Sequence, residues 1–149
     1  MTPGKPPAAA LMSSPDDIET QFYEALQAGD ITRLMAVWAD DDDIVCVLPG
    51  GSRVVGPHAI RSSFEAVFAN GGVPVQLERV RRLVHGGAAV HHLLVRVDVN
   101  TDEGVQTAWV IVTNVYLKTD QGWRLAAHHA SPGTDRELLD AGEVPAVLH

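Results

Sequence analysis

The chain has 149 residues, 46% hydrophobic and 20% charged, a size and composition suited to one globular domain with a real core. With 11 basic against 19 acidic residues and a formal charge of −8, it carries no basic stripe, which argues against nucleic acid as a partner. The longest apolar run, Ala108 to Val112, is strand-sized, which argues against a membrane span. The single cysteine, Cys46, sits in the apolar run Ile44 to Leu48. It cannot form an intramolecular disulfide, and it reads as a small buried hydrophobe rather than a reactive thiol.

Residues 1–13 hold three prolines, one lysine and an apolar stretch too short for a signal segment, and read as a disordered leader on a cytoplasmic protein. Ser14-Pro15-Asp16-Asp17 then starts a helix with a capping hydroxyl, a proline at the first turn and acids at the positive dipole end. Ile18, Phe22, Ala25 and Leu26 follow at helical spacing, and Gly29 stops it. Asp30 caps a second helix carrying Ile31, Leu34, Met35 and Trp38, which ends in the acidic run Asp40 to Asp43. That run lacks the glycine and distal glutamate of a calcium loop and reads as a solvated turn.

The period then changes. Ile44 to Leu48 and Arg53 to Val55 read as a hairpin, and Gly56-Pro57 opens a third helix with Ile60, Phe64, Val67 and Phe68 on one face. A meander follows: Val75–Val84, Ala89–Val99, Val105–Leu117 and Trp123–Ala130, joined by turns rich in Gly and Asp. The domain spans residues 14–131, and 132–149 form a tail with one helical turn expected over Arg136–Leu139. The fold class is α+β, with helices on one sheet face. Leu93-Leu94-Val95 and Trp109 to Val112 are apolar on both strand faces, so the face away from the helices needs a cover. A second copy of the chain is the simplest one, which predicts a homodimer through the sheet.

Three stretches share their order and spacing with one superfamily. Phe22-Tyr23-Glu24-Ala25-Leu26-Gln27-Ala28-Gly29-Asp30 with Trp38-Ala39-Asp40-Asp41 resembles the opening helix pair of nuclear transport factor 2-like proteins. Pro49-Gly50-Gly51 with Val55 to Ile60 is similar to their first hairpin and third helix. Thr113 to Tyr116, Gly122 to Leu125 and His128 to Ser131 look like their last two strands. The resemblance runs from about Ser14 to Ser131 and is nearest the SnoaL-like, ketosteroid isomerase-like branch. It implies a cone-shaped half-barrel: three N-terminal helices packed on a curved mixed, mainly antiparallel six-stranded sheet. It also implies a cavity between helices and sheet, but it does not name a reaction.

Ketosteroid isomerases place a carboxylate base, a tyrosine and a protonated aspartate in that cavity. Carried across by motif, the tyrosine position falls on Phe22, the base on Leu48 and the aspartate on Asn114. Base and phenol are lost, so isomerisation of a β,γ-unsaturated ketosteroid is not expected.

Strand alternation puts Val110, Val112, Asn114 and Tyr116 on one face, Arg124, Ala126, His128 and Ala130 on one face of the next strand, and His92, Leu94 and Arg96 together. With Asn114 toward the cavity, as the resemblance implies, His128 is its neighbour and the expected proton-moving group. The expected pocket comprises Phe22 (or Tyr23), Trp38, Leu48, Phe64, Val112 and Tyr116, with His92 and Arg96 closing its polar end. Histidines on long strands serve equally well as core or interface residues. His91-His92 and His128-His129 are adjacent pairs whose members point to opposite faces, so no metal site and no cofactor are expected. The resulting expectation is a SnoaL-like domain binding an unknown small molecule, with cofactor-independent acid–base chemistry of isomerase, cyclase or dehydratase type. A non-catalytic binding or dimerisation module is the alternative.

Overall fold

The computed structural model describes residues 13–134; all but Ser13 of the leader expected over 1–13, and the helical turn expected over 136–139, lie outside the described residues. Helix α1 (Pro15–Ala28) starts at a reciprocal capping box. Asp17 N–H donates to the Ser14 hydroxyl at 3.2 Å and Ser14 N–H donates to the Asp17 carboxylate at 3.0 Å. Gly29, in the left-handed region at φ 68°, ends the helix. Helix α2 (Ile31–Ala36) is capped by Asp30, whose carboxylate accepts from Arg33 N–H at 3.1 Å. It stops short of Trp38, which instead forms a parallel bridge to Leu125 in the sheet. Hydrogen bonds of 2.8 Å from Ala39 N–H to Leu125 O and from Leu125 N–H to Val37 O hold that bridge.

The chain continues through β1 (Val45–Val47), β2 (Arg53–Val55), α3 (Pro57–Val67) and a 3₁₀ turn (Phe68–Asn70). The meander follows as β3 (Val75–His85), β4 (Ala88–Thr101), β5 (Gly104–Thr119) and β6 (Gly122–Pro132). One six-stranded sheet results, in the order β2-β1-β6-β5-β4-β3. Every pair is antiparallel except β1 with β6, so the sheet is mixed and the fold α+β. Ile18, Phe22, Leu34, Ile60 and Phe64 from the helices pack on Leu93, Val95, Val112, Tyr116 and Leu125 from the sheet. Fully burying side chains of this size contributes roughly 1.5–3 kcal/mol each. Among the described residues no helix is long and apolar enough to cross a membrane.

Two irregularities set which side chains face the helices. The pairing Glu78↔Leu94 is followed by Arg81↔His92, so β3 carries an extra residue. It bends at Arg79, a non-glycine residue at φ 45°. On the other side of β5, Val115↔Ala127 is followed by Tyr116↔Leu125, so β6 also carries an extra residue. Leu125, not Arg124, therefore shares a face with His128 and Ala130. The expected single face for Arg124, Ala126, His128 and Ala130 is corrected by that bulge, which reverses the alternation midway along β6.

Candidate functional site

A cavity of about 410 Å³ opens between α1, α3 and the helix-facing side of the sheet. Helix α1 contributes Phe22 and Tyr23, adjacent residues whose rings meet edge to face at 4.9 Å. Leu48 and Phe64 close the side of β1 and α3, while Val112 and Ala130 form the floor. His128 lines the same wall, its ring 5.1 Å from that of Phe22. It is the one lining residue with an ionisable nitrogen. Among the described residues the wall holds no carboxylate, guanidinium or ammonium group.

His128 is backed by a buried polar chain. Its Nδ1 lies 2.6 Å from Asn114 Oδ1, the shortest hydrogen bond of the site. Asn114 Nδ2 donates to the Tyr23 phenol oxygen at 3.3 Å. One residue pair deeper, the Tyr116 hydroxyl donates to Glu19 Oε2 at 2.8 Å, and His91 Nδ1 lies 2.9 Å from the same oxygen. The chain then reaches the surface. His91 Nε2 is 3.8 Å from Asp16 Oδ1, which accepts from Arg82 Nε–H at 2.7 Å. Glu19 and Asn114 are 4% and 0% exposed, so each must find its partners inside the protein, and each does.

Burial dominates the acid–base behaviour. It pushes the His128 imidazole down to about 4, assisted by neighbouring His129, so the ring is neutral at physiological pH. Burial also pushes the Tyr23 and Tyr116 phenols up, and the Glu19 carboxylate adds to both shifts. Neither phenol ionises in the neutral range. Cys46, wholly buried in β1, has its thiol pushed up to about 12 by the same desolvation.

The structure thus brings Phe22, Tyr23, Leu48, Phe64, Val112 and His128 to one cavity. It places Asn114 behind His128 rather than on the wall, with Tyr116 deeper still. Two further expectations are corrected. His92 and Arg96 do not close the polar end, because the β4–β5 register pairs His91 with Asn114 and His92 with Thr113. His91 therefore shares the helix-facing side, and His92 and Arg96 stand on the other. Trp38 does not wall the cavity either. Its bridge to Leu125 turns it toward a separate surface depression beside Arg61 and Arg124.

Glu19 and His91 were not expected at the site. The signal for Glu19 was its place among Ile18, Phe22 and Tyr23 on the buried stripe of an amphipathic helix, where a carboxylate needs a partner. Asp16, Glu19 and His91 bring one ligand atom each to within 4.8 Å of one another, a cluster that adjacent-histidine spacing does not reveal. Each of these donor atoms is already engaged by Arg82, by Tyr116 or by another member of the cluster.

A helix-covered mixed sheet with a cavity at its centre defines the class: an α+β domain of the nuclear transport factor 2-like type. Residues 16–135 match the SnoaL-like domain, and the chain belongs to that family. Among solved structures it is similar to a candidate calcium/calmodulin-dependent protein kinase type II association domain from Thiobacillus denitrificans. That match has 28% identity and a TM-score of 0.73, covering 81% of this chain and 96% of that one. It is likewise similar to a candidate dehydratase of the nuclear transport factor 2-like family from Streptomyces avermitilis, at 28% identity and a TM-score of 0.70 over 78% and 91% of the two chains. A candidate ketosteroid isomerase from Parabacteroides distasonis shares the fold, at 17% identity and a TM-score of 0.67 over 86% and 94%. No curated protein matches the chain.

The depressed His128 value has a consequence for stability. In the unfolded chain the ring titrates near 6.5, and in the folded protein near 4. Between these values the unfolded state binds the extra proton, so His128 lowers stability as pH falls from 6.5 toward 4, by about 3 kcal/mol in total. Urea denaturation at pH 7 and pH 4.5 should show a larger acid loss for the native protein than for His128→Phe, which has no proton to gain. Equal losses would show that the imidazole is not desolvated in the fold.

Proposed function

We propose that the cavity binds a small, largely apolar molecule and that His128 is its polar anchor. The observation that carries this reading is the single ring nitrogen system of His128 set into an otherwise apolar wall and held from behind by Asn114 at 2.6 Å. An apolar pocket with one oriented polar group is the usual form of a small-molecule site. A ring positioned by a short hydrogen bond is also the usual form of a general base. The candidate dehydratase and ketosteroid isomerase among the similar structures favour a second reading: His128 moves a proton on the bound molecule, without metal or cofactor. Isomerisation by the ketosteroid route is not part of it, since Leu48 presents a hydrocarbon where that route needs a carboxylate.

The neutral fluorophore N-phenyl-1-naphthylamine tests the cavity directly. Fluorescence titration should show saturable binding to one site per chain. Ala130→Phe, which places a ring over the cavity floor, should weaken it at least tenfold while lowering the unfolding free energy, read by urea denaturation, by no more than about 3 kcal/mol. Unsaturable binding, or binding indifferent to Ala130→Phe, counts against a ligand cavity.

Self-association belongs to the same reading. The sheet face away from the helices carries Val90, Ile111 and Val115, half-buried, beside Leu94 and Trp109. That apolar stripe fits a second copy of the same stripe, and one of the similar structures is named an association domain. Light scattering at micromolar concentration should give twice the 16.0 kDa chain mass; a mass near one chain rules the dimer out.

A further inference from the structure

The buried chain behind His128 does more than hold the ring, because each member constrains where the next one's proton sits. Glu19 presents a carboxylate oxygen, an acceptor, and the Tyr116 hydroxyl donates to it at 2.8 Å. With its proton directed at Glu19, the Tyr116 oxygen turns a lone pair toward the neighbouring Asn114 amide, whose N–H steadies the phenol's negative form. That requires the donor end of the Asn114 amide, Nδ2, to face the two phenols, and Nδ2 is indeed 3.3 Å from the Tyr23 oxygen. The acceptor end, Oδ1, is then the atom 2.6 Å from His128 Nδ1. A carbonyl oxygen cannot donate, so Nδ1 carries the hydrogen of the neutral ring.

The other nitrogen, Nε2, is left with a lone pair. It makes no hydrogen bond to the described residues. It is also absent from the sealed, unpartnered polar atoms among them, which are Trp38 Nε1, Arg96 Nε and Trp109 Nε1. It therefore keeps access to the cavity that His128 lines.

We propose that Glu19, acting through Tyr116 and Asn114, locks His128 as the Nδ1–H tautomer, so that the cavity selects neutral apolar molecules carrying one hydroxyl or N–H donor. This rests on the reading of the cavity as a ligand site. The donor specificity follows from Nε2 being the one side-chain nitrogen acceptor among the described lining residues. Neutrality follows from the wall itself, since a carboxylate or phosphate buried there would lose its hydration and meet no cation. Glu19, Tyr116 and Asn114 are positioning residues; of the four members of the relay, His128 alone lines the cavity.

Two measurements on the intact protein test the two halves separately. Long-range ¹H–¹⁵N correlation spectra of the ligand-free protein at pH 7, with His128 assigned by its loss in His128→Phe, should show protonated Nδ1 and bare Nε2. In Tyr116→Phe, which frees the Asn114 amide to turn over, an Nε2–H population should appear. An Nε2–H ring in the native protein, or a Tyr116→Phe spectrum unchanged at His128, overturns the relay. Calorimetric titration with 1-naphthol and with 1-methoxynaphthalene, the same ring system without a donor, should give at least tenfold tighter binding of the naphthol. That ratio should fall to near one in His128→Phe. Equal affinities in the native protein overturn the donor selectivity. If neither probe binds while His128 shows the Nδ1–H tautomer, the ligand-site reading fails and the relay stands. If the naphthol binds tightly to a ring protonated on Nε2, the relay fails and the ligand site stands.

Discussion

One buried carboxylate, that of Glu19, ties the first helix to the centre of the sheet. Removing a charge from water costs several kcal/mol, and among the described residues the Tyr116 hydroxyl and the His91 ring, both projecting from the sheet, offset it. A slip of α1 along the sheet, or a one-residue change of strand register, would leave the charge without those partners. The arrangement therefore specifies how α1 sits as well as how firmly. Phe22 and Tyr23, three and four residues further along the helix, reach the cavity wall because of that placement. Asp16 extends the tie outward to Arg82 on β3, an exposed pair that contributes at most about 1 kcal/mol.

The same carboxylate links fold and site. Glu19 holds the Tyr116 hydroxyl and Asn114 holds His128, and in the relay proposed above the two pairs act together, so that a group on one side of the core sets the chemistry presented on the other. This gives the domain a polar anchor without any charged residue in the cavity wall. Leu48 and Phe22 present hydrocarbon to the cavity, while the neighbouring Tyr23 phenol accepts from Asn114. Membership of the SnoaL-like family accounts for the scaffold.

Much of the architecture was legible in the sequence because its signals are local. Ser14-Pro15-Asp16-Asp17 and Gly29 bracket α1, Gly56-Pro57 opens α3, and the Gly- and Asp-rich turns mark the meander to within a few residues. The site was legible only in part, because it depends on relations between strands. Alternation tells which residues share a face but not which face is inner, so His92 and Arg96 were placed toward a cavity that His91 faces instead. The extra residue in β6 has no mark in its composition, and it reverses the side on which Arg124 stands. Trp38 continues the helical spacing of α2, yet a backbone bridge to Leu125 takes it out of the helix. Pairing with a strand far along the chain outweighed the local pattern.

The central claim is that Glu19 and Tyr116 act as one unit at the heart of the domain. A double-mutant cycle on Glu19→Gln and Tyr116→Phe, read by urea denaturation at pH 7, measures that directly. A hydrogen bond to a buried charge predicts a coupling energy of about 1.5–3 kcal/mol between the two positions. Additive effects, with coupling below about 0.5 kcal/mol, would contradict the account.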